Sequence, residues 1–139
     1  MTSILCPLDF SAATPDLVAY AAARAAATGA ELRLLHVREA GPASFPTPSA
    51  GANPDAEQLA RCQAAAERAG AGRVSIGTVR GEAAPEIVAE ANRRHTDLIV
   101  IGAHGQTGLT RFLMGNTAEG VLRTASCATL LVRALLTAA

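Results

Sequence analysis

Short apolar runs alternate along the chain with longer stretches in which apolar residues recur at helical spacing. The first and fourth runs contain almost no polar residue, which is typical of central strands buried on both faces of a parallel sheet. The pattern predicts five strands, over Ser3–Leu8, Glu31–Val37, Val74–Val79, Leu98–Ile101 and Thr129–Val132.

Four helices are predicted between these strands. Thr14 is expected to cap the first helix, with Pro15 at the first helical position and Gly29 at the end. Four of the seven prolines fall in the segment 39–54, which predicts an irregular surface loop. The predicted helices cover approximately residues 14–28, 54–69, 85–93 and 116–123.

Strands that alternate with helices pair in parallel through right-handed crossovers. The sequence therefore predicts one α/β domain over residues 1–139, a doubly wound five-stranded parallel sheet of order 3-2-1-4-5 with helices on both faces. No internal repeat or linker to a second domain is visible.

Composition excludes several classes of function. Twelve basic residues balance twelve acidic ones, whereas nucleic-acid-binding proteins carry a basic excess. All twelve basic residues are arginines. Because the chain has no lysine, a Walker-type phosphate loop and Schiff-base lysine chemistry are excluded. The three cysteines are too scattered for a disulfide framework or a CxxC metal site. Without a leader or a long apolar run, the protein is expected in the cytoplasm, with neither membrane nor nucleic acid as a partner.

Two segments could form a ligand site where the winding of the sheet reverses, beyond the carboxyl ends of strands 1 and 4. Asp9 follows strand 1 and suits hydrogen bonds to a ribose or an adenine amino group. After strand 4, Gly102 and Gly105 allow backbone amides to approach an anion, and Gly115 precedes a helix N-terminus. From the residues alone, the glycine segment is either a phosphate cradle or only a flexible connection, and Asn116 is a helix cap with or without a phosphate contact.

These segments resemble the universal stress protein family. Residues 97–119 are similar to its C-terminal signature, G-x2-G-x9-G followed by Ser or Thr, matched here by Gly102, Gly105 and Gly115. The start of the chain, residues 4–11, resembles the first strand of the family with its aspartate, and residues 34–37 resemble the second. One departure is Asn116, which replaces the hydroxyl of the motif with an amide and leaves Thr117 as the nearest hydroxyl.

The resemblance implies an adenine nucleotide alpha-hydrolase-like fold and an adenine nucleotide as ligand: ATP, or ADP or AMP, with or without Mg²⁺. No catalytic residue and no metal ligand is assigned. The implied contacts to adenine and ribose, and then to the phosphates, are Pro7, Leu8, Asp9, Val37, Ile101, Gly102, His104, Gly105, Gly115, Asn116, Thr117 and Ala118.

Three functions remain open at this stage. The first, implied by the resemblance, is a small ATP-binding stress-response protein that acts as a nucleotide-dependent sensor. The second is a slow ATPase or nucleotide transferase, for which His104 and Asp9 are the only candidate catalytic pair. The third is an interaction module that binds no nucleotide. The resemblance also implies a homodimer formed through the last strand, Thr129 to Val132.

Overall fold

The computed structural model describes residues 2–38, 54–103 and 116–133. Its strands are β1 (Ser3–Leu8), β2 (Glu31–Arg38), β3 (Val74–Arg80), β4 (Leu98–Gly102) and β5 (Ala128–Val132). Its helices are α1 (Thr14–Thr28), α2 (Pro54–Arg68), α3 (Ala83–Arg93) and α4 (Asn116–Thr124).

The strands form one parallel sheet of order β3-β2-β1-β4-β5, as the sequence predicts. β1 pairs with β2 along its whole length, from Ser3 beside Glu31 to Leu8 beside His36. Its ladder to β4 covers only two positions, Ile4 with Leu98 and Leu5 with Ile99. Since both strands continue beyond that point, they are unpaired with each other towards their carboxyl ends. This is where the winding direction reverses and where a ligand crevice is expected.

Each face of the sheet packs against two helices, which confirms the predicted layers. On one face, Ile4, Cys6 and Leu8 of β1 contact a core that includes residues of α1 and α2. On the other, Leu5 belongs to a second core with residues of α3 and α4. Much of α1 is alanine, and these short buried side chains let the helix lie close to the sheet. Among the described residues, no helix is long and apolar enough to cross a membrane.

The predicted cap of α1 is wrong, although its end is right. Ala13 occupies the N-cap position, and Thr14 is the first helical residue. The Thr14 amide donates to Ser11 O at 3.0 Å, so a backbone turn closes the helix entry and the threonine hydroxyl is not used there. Gly29 ends the helix in the left-handed conformation (φ 71°), which glycine adopts without a Cβ clash.

The third helix begins earlier than predicted, at Ala83 and two residues before Pro85. Proline is tolerated in this first turn because the amide that it lacks has no partner within the helix.

A buried ionic network joins α3 to the sheet. Glu90 of α3 is 3% exposed and accepts hydrogen bonds from Arg33 of β2 at 2.7 Å, Arg93 at 2.6 Å and Arg94 at 2.9 Å. Burial by itself would raise the pKa of Glu90, but these three bonds outweigh it and hold the pKa at about 2. The Arg33 guanidinium lies across β3, where a Cβ on Gly77 would overlap its Nη2. Glycine at 77 is therefore what lets arginine reach glutamate.

We expect Glu90→Gln to lower the free energy of unfolding by about 2–4 kcal/mol, because it leaves the mostly buried guanidinium of Arg33 without its counter-charge. The native pKa lies below the ordinary value of 4.5, so this stabilisation is complete above about pH 4.5 and is lost as the pH falls towards 2. Urea unfolding at several pH values measures both effects. The control is Glu119→Gln, which removes an exposed partner of Arg123 and should cost at most about 0.5 kcal/mol. Equal losses in the two variants would contradict the assignment.

Candidate functional site

The described part of the predicted site lies at the carboxyl edge of the sheet, around the gap between β1 and β4. β1 ends there with Pro7 and Leu8, both buried, and Asp9 follows directly. β4 ends there with Ile101 and Gly102, and Val37 lies near the end of the neighbouring β2. The topology therefore brings the described site residues of β1, β2 and β4 to the carboxyl end of the sheet. His104, Gly105 and Gly115 lie outside the described residues.

Pro7 is an unusual residue for a central strand, because proline has no amide hydrogen for a ladder. The ladder from β1 to β2 continues past Pro7, which stands beside Leu35, whereas the ladder to β4 has already ended at Leu5. A proline is tolerated at this position because the strand no longer pairs with β4 there.

The turn after β1 presents Asp9 in a defined geometry. Its Oδ1 accepts a hydrogen bond from the amide of Ser11 at 2.9 Å, which is an Asx turn. Phe10 has a left-handed backbone (φ 58°), which costs a residue with a side chain about 1–2 kcal/mol. Such a conformation persists only where surrounding contacts hold it.

The contacts that hold this turn include a residue that the sequence analysis did not assign to the site. His36, beside Leu8 in the sheet, has its Nδ1 3.0 Å from Leu8 O and its ring centroid 4.4 Å from that of Phe10. Its Nε2 lies 3.5 Å from Oδ2 of Asp55, which also approaches Arg38 Nε at 3.4 Å. The predicted pairing of strands 1 and 2 was the available signal, since it places the ends of both strands side by side.

The end of β4 is tied to the neighbouring strand β5. The amide of Ala103 donates to Val132 O at 2.9 Å, which ties this end to β5. A Cβ on Gly102 would meet only Leu17 Cδ2, at an ordinary contact distance of 3.7 Å. The described packing therefore does not require glycine at 102, and the missing side chain leaves room for another group at the backbone.

The N-terminus of α4 adds an anion-binding feature. The helix begins at Asn116, directly after the last glycine of the motif, and first-turn amides with the positive end of the dipole favour anions. Ala118 is buried, and Thr117 is half-buried. A Cβ on Gly120 would be 2.7 Å from Ala84 Cβ, so α4 packs too closely on α3 for a larger residue there. This close contact packs α4 against α3.

Chemically, the described residues offer a carboxylate, open backbone at Gly102 and a helix N-terminus. Such groups suit a ligand with hydrogen-bonding groups at one end and negative charge at the other. Among the residues that the structure describes, no three His, Cys, Asp or Glu side chains are grouped to hold a metal ion.

Comparison with known proteins agrees with this architecture. A universal stress protein of Methanocaldococcus jannaschii is 39% identical over 77 residues, which are 55% of this chain and 45% of that relative. The match thus spans less than half of that relative's length.

Solved structures show the same fold. A universal stress protein in complex with cAMP is 23% identical, has a TM-score of 0.77 and matches over 94% of this chain and 96% of its own. A universal stress protein from Archaeoglobus fulgidus in complex with dAMP is 20% identical, with a TM-score of 0.73 and coverage of 94% and 97%. The model of the universal stress protein family matches residues 1–133. The chain therefore belongs to the universal stress protein family.

Proposed function

We propose that this protein binds an adenine nucleotide in the crevice between β1 and β4 and acts as a nucleotide-dependent sensor. The observation that carries the proposal is the early end of the β1–β4 ladder. It leaves the Asp9 turn and Gly102 at the carboxyl end of the sheet, where β1 and β4 do not pair with each other. The cAMP and dAMP complexes of two proteins with this fold support an adenine nucleotide as ligand. ATP as the preferred nucleotide, Mg²⁺ beside it and action in the cytoplasm are parts of the proposal.

In this arrangement the base and ribose lie towards β1 and β2. The Asp9 carboxylate accepts hydrogen bonds from ribose hydroxyls or the adenine amino group, and Pro7, Leu8 and the Val37 backbone surround them. Asp9 is unsuited to the phosphate end, because a carboxylate repels a phosphate.

The phosphates lie towards β4 and α4. Gly102 and Gly105 admit the phosphate chain close to the backbone, and the first turn of α4 supplies amides and its dipole. Ile101, His104, Gly115 and Asn116 complete this end, with Asn116 donating through its amide where the family motif has a hydroxyl. Thr117 adds a hydroxyl, and Ala118 fixes the turn by packing into the core.

We also propose that two copies associate through β5. The other edge strand of the sheet, β3, is obstructed. The Arg73 carbonyl just before β3 accepts a hydrogen bond from the Leu32 amide of β2. Because carbonyls alternate in direction along a strand, those of Val74 and Ile76 point away from the sheet. These two carbonyls accept hydrogen bonds from the side chains of Gln63 at 2.9 Å and Arg33 at 3.3 Å. β5 carries the half-buried apolar residues Leu130, Leu131 and Val132, which suit pairing with a second strand.

Nucleotide should stabilise the native protein. At 100 times its dissociation constant, a ligand that binds only the folded state contributes about 2.7 kcal/mol, which raises the melting temperature of a chain of this size by several degrees. Thermal unfolding with millimolar ATP and Mg²⁺, ADP or AMP measures the shift. If none of the three moves the melting temperature, the interaction-module function is favoured instead.

Two substitutions should separate the two ends of the ligand. Gly105→Val adds a branched side chain where phosphate approaches. It should lower the affinity for ATP at least about tenfold and the affinity for adenosine far less. Asp9→Ala should lower the affinity for adenosine itself. Calorimetric titration of both ligands against both variants measures this crossed pattern.

The matched control is Gly72→Val. This exposed glycine lies just before β3, at the amino end of the sheet, and a Cβ there would meet nothing within 4 Å. It should leave both affinities within about twofold of wild type. Unchanged ATP affinity in folded Gly105→Val and Asp9→Ala proteins would refute the two-sided site.

The dimer is tested separately. Because the β5 edge is apolar and uncharged, equilibrium sedimentation at micromolar concentration should give twice the mass of the chain. A monomer over that range would remove the proposed association and leave nucleotide binding unaffected.

A further inference from the structure

We propose that His36 is a positioning residue for nucleotide binding: it holds the turn that presents Asp9, and is itself oriented by Asp55 of α2. The inference rests on the proposed function, since it takes Asp9 as a contact to the nucleotide. It concerns a side chain of β2 that has no place among the expected ligand contacts.

The first contact is the hydrogen bond to Leu8. A backbone carbonyl can only accept, so the 3.0 Å distance from His36 Nδ1 to Leu8 O means that Nδ1 carries the hydrogen and donates it. The peptide group that contains Leu8 O also contains the amide nitrogen of Asp9. His36 therefore fixes the orientation of the peptide from which the Asp9 residue starts.

The second contact is with Phe10 on the other side of Asp9. The Phe10 backbone is left-handed, with φ 58°, and its ring lies against the His36 ring at a centroid distance of 4.4 Å and an angle of 33°. A phenylalanine keeps this conformation only if its surroundings hold it. The residues on both sides of Asp9 thus contact the same imidazole ring.

The third contact anchors the imidazole. His36 Nε2 lies 3.5 Å from Asp55 Oδ2, and the histidine side chain is only 13% exposed. Because Nδ1 donates to Leu8 O, the contact with Asp55 is an attractive ion pair in the imidazolium form, in which both ring nitrogens donate. Asp55 lies in the first turn of α2 and also approaches Arg38 Nε at 3.4 Å. A continuous path of contacts therefore runs from α2 through His36 to the Asp9 turn.

Simple packing does not account for these contacts. Leu32 and Leu34 precede His36 on the same face of β2, and both are fully buried in the apolar core. Another leucine at 36 would fill space equally well, but it would leave Leu8 O without this donor. The polar role is confined to the two ring nitrogens, which makes it separable by substitution.

Asparagine and glutamine provide the separation. The Asn amide nitrogen stands at the same number of bonds from Cβ as histidine Nδ1, so His36→Asn retains a donor towards Leu8 O. The Gln amide nitrogen extends towards the place of Nε2, so His36→Gln retains a group beside Asp55 and loses the donor to Leu8. Titration with ADP should give an affinity within about twofold of wild type for His36→Asn, and one about five- to tenfold weaker for His36→Gln.

A double-mutant cycle tests whether the effect passes through Asp9. In an Asp9→Ala background, His36→Gln should cause no further loss of ADP affinity, because the group that it positions is already absent. If His36→Gln does not fold, His36→Leu replaces it, since it also lacks a donor to Leu8 O, and should weaken ADP binding about five- to tenfold only when Asp9 is present. Arg38→Ala is the matched control: it removes another charged group beside Asp55, leaves His36 in place and should change ADP affinity less than about twofold.

The outcomes distinguish the two proposals. Wild-type protein that does not bind ADP would overturn both the proposed function and this inference. If wild type binds ADP, the inference alone is overturned by equal affinities for His36→Gln and wild type, by equal losses in His36→Asn and His36→Gln, or by additive losses in the double variant. Rescue by asparagine together with non-additivity with Asp9→Ala would support it.

Discussion

The short ladder between β1 and β4 is the constraint on which the rest of the structure depends. β1 is the central strand, and its early residues must pair on both sides because they are fully buried. Beyond Leu5 it keeps only β2 as a partner, and Pro7, which has no amide hydrogen, falls in that stretch. The Asp9 turn and the end of β4 consequently stand at the same edge without a ladder between them, while the crossover helices cover the two faces.

Two of the polar networks among the described residues lie away from the candidate site. At the amino ends of β1 and β4, the Asp97 carboxylate accepts hydrogen bonds from the amides of Thr2 and Ser3 and from the Thr2 hydroxyl. These bonds lower the pKa of Asp97. The Glu90 network ties α3 to β2 on the second face. Stability and ligand binding can therefore be changed by different substitutions, because the groups responsible are not shared.

The Asp9 turn is the exception, because conformational strain and candidate function coincide there. A left-handed phenylalanine and an Asx turn define the carboxylate position, and an imidazole from the neighbouring strand contacts the turn. An element that holds a costly backbone conformation is one in which a ligand contact can be preorganised. Asp55 joins α2 to this arrangement, so a helix on one face of the sheet is coupled to the turn after β1.

The sequence by itself determined those features that depend on near neighbours in the chain. Continuous apolar runs predicted strands buried on both faces, helical spacing with Gly29 predicted the extent of α1, and the alternation of elements predicted the sheet order. The position of Asp9 and Gly102 at one edge followed from that order. The cap of α1 is also local but was predicted wrongly, because the Thr14 amide bonds to Ser11 O in a backbone turn that has no side-chain signature. The tertiary structure alone decided the long-range polar contacts. It decided that His36 would bond to Leu8, 28 residues away, and that Arg33 would cross Gly77 to reach Glu90, 57 residues away. The sequence pattern around a polar residue in a strand does not indicate which distant residue it will bond to. Only the packing of the sheet and helices brings the donor and acceptor atoms within hydrogen-bond distance.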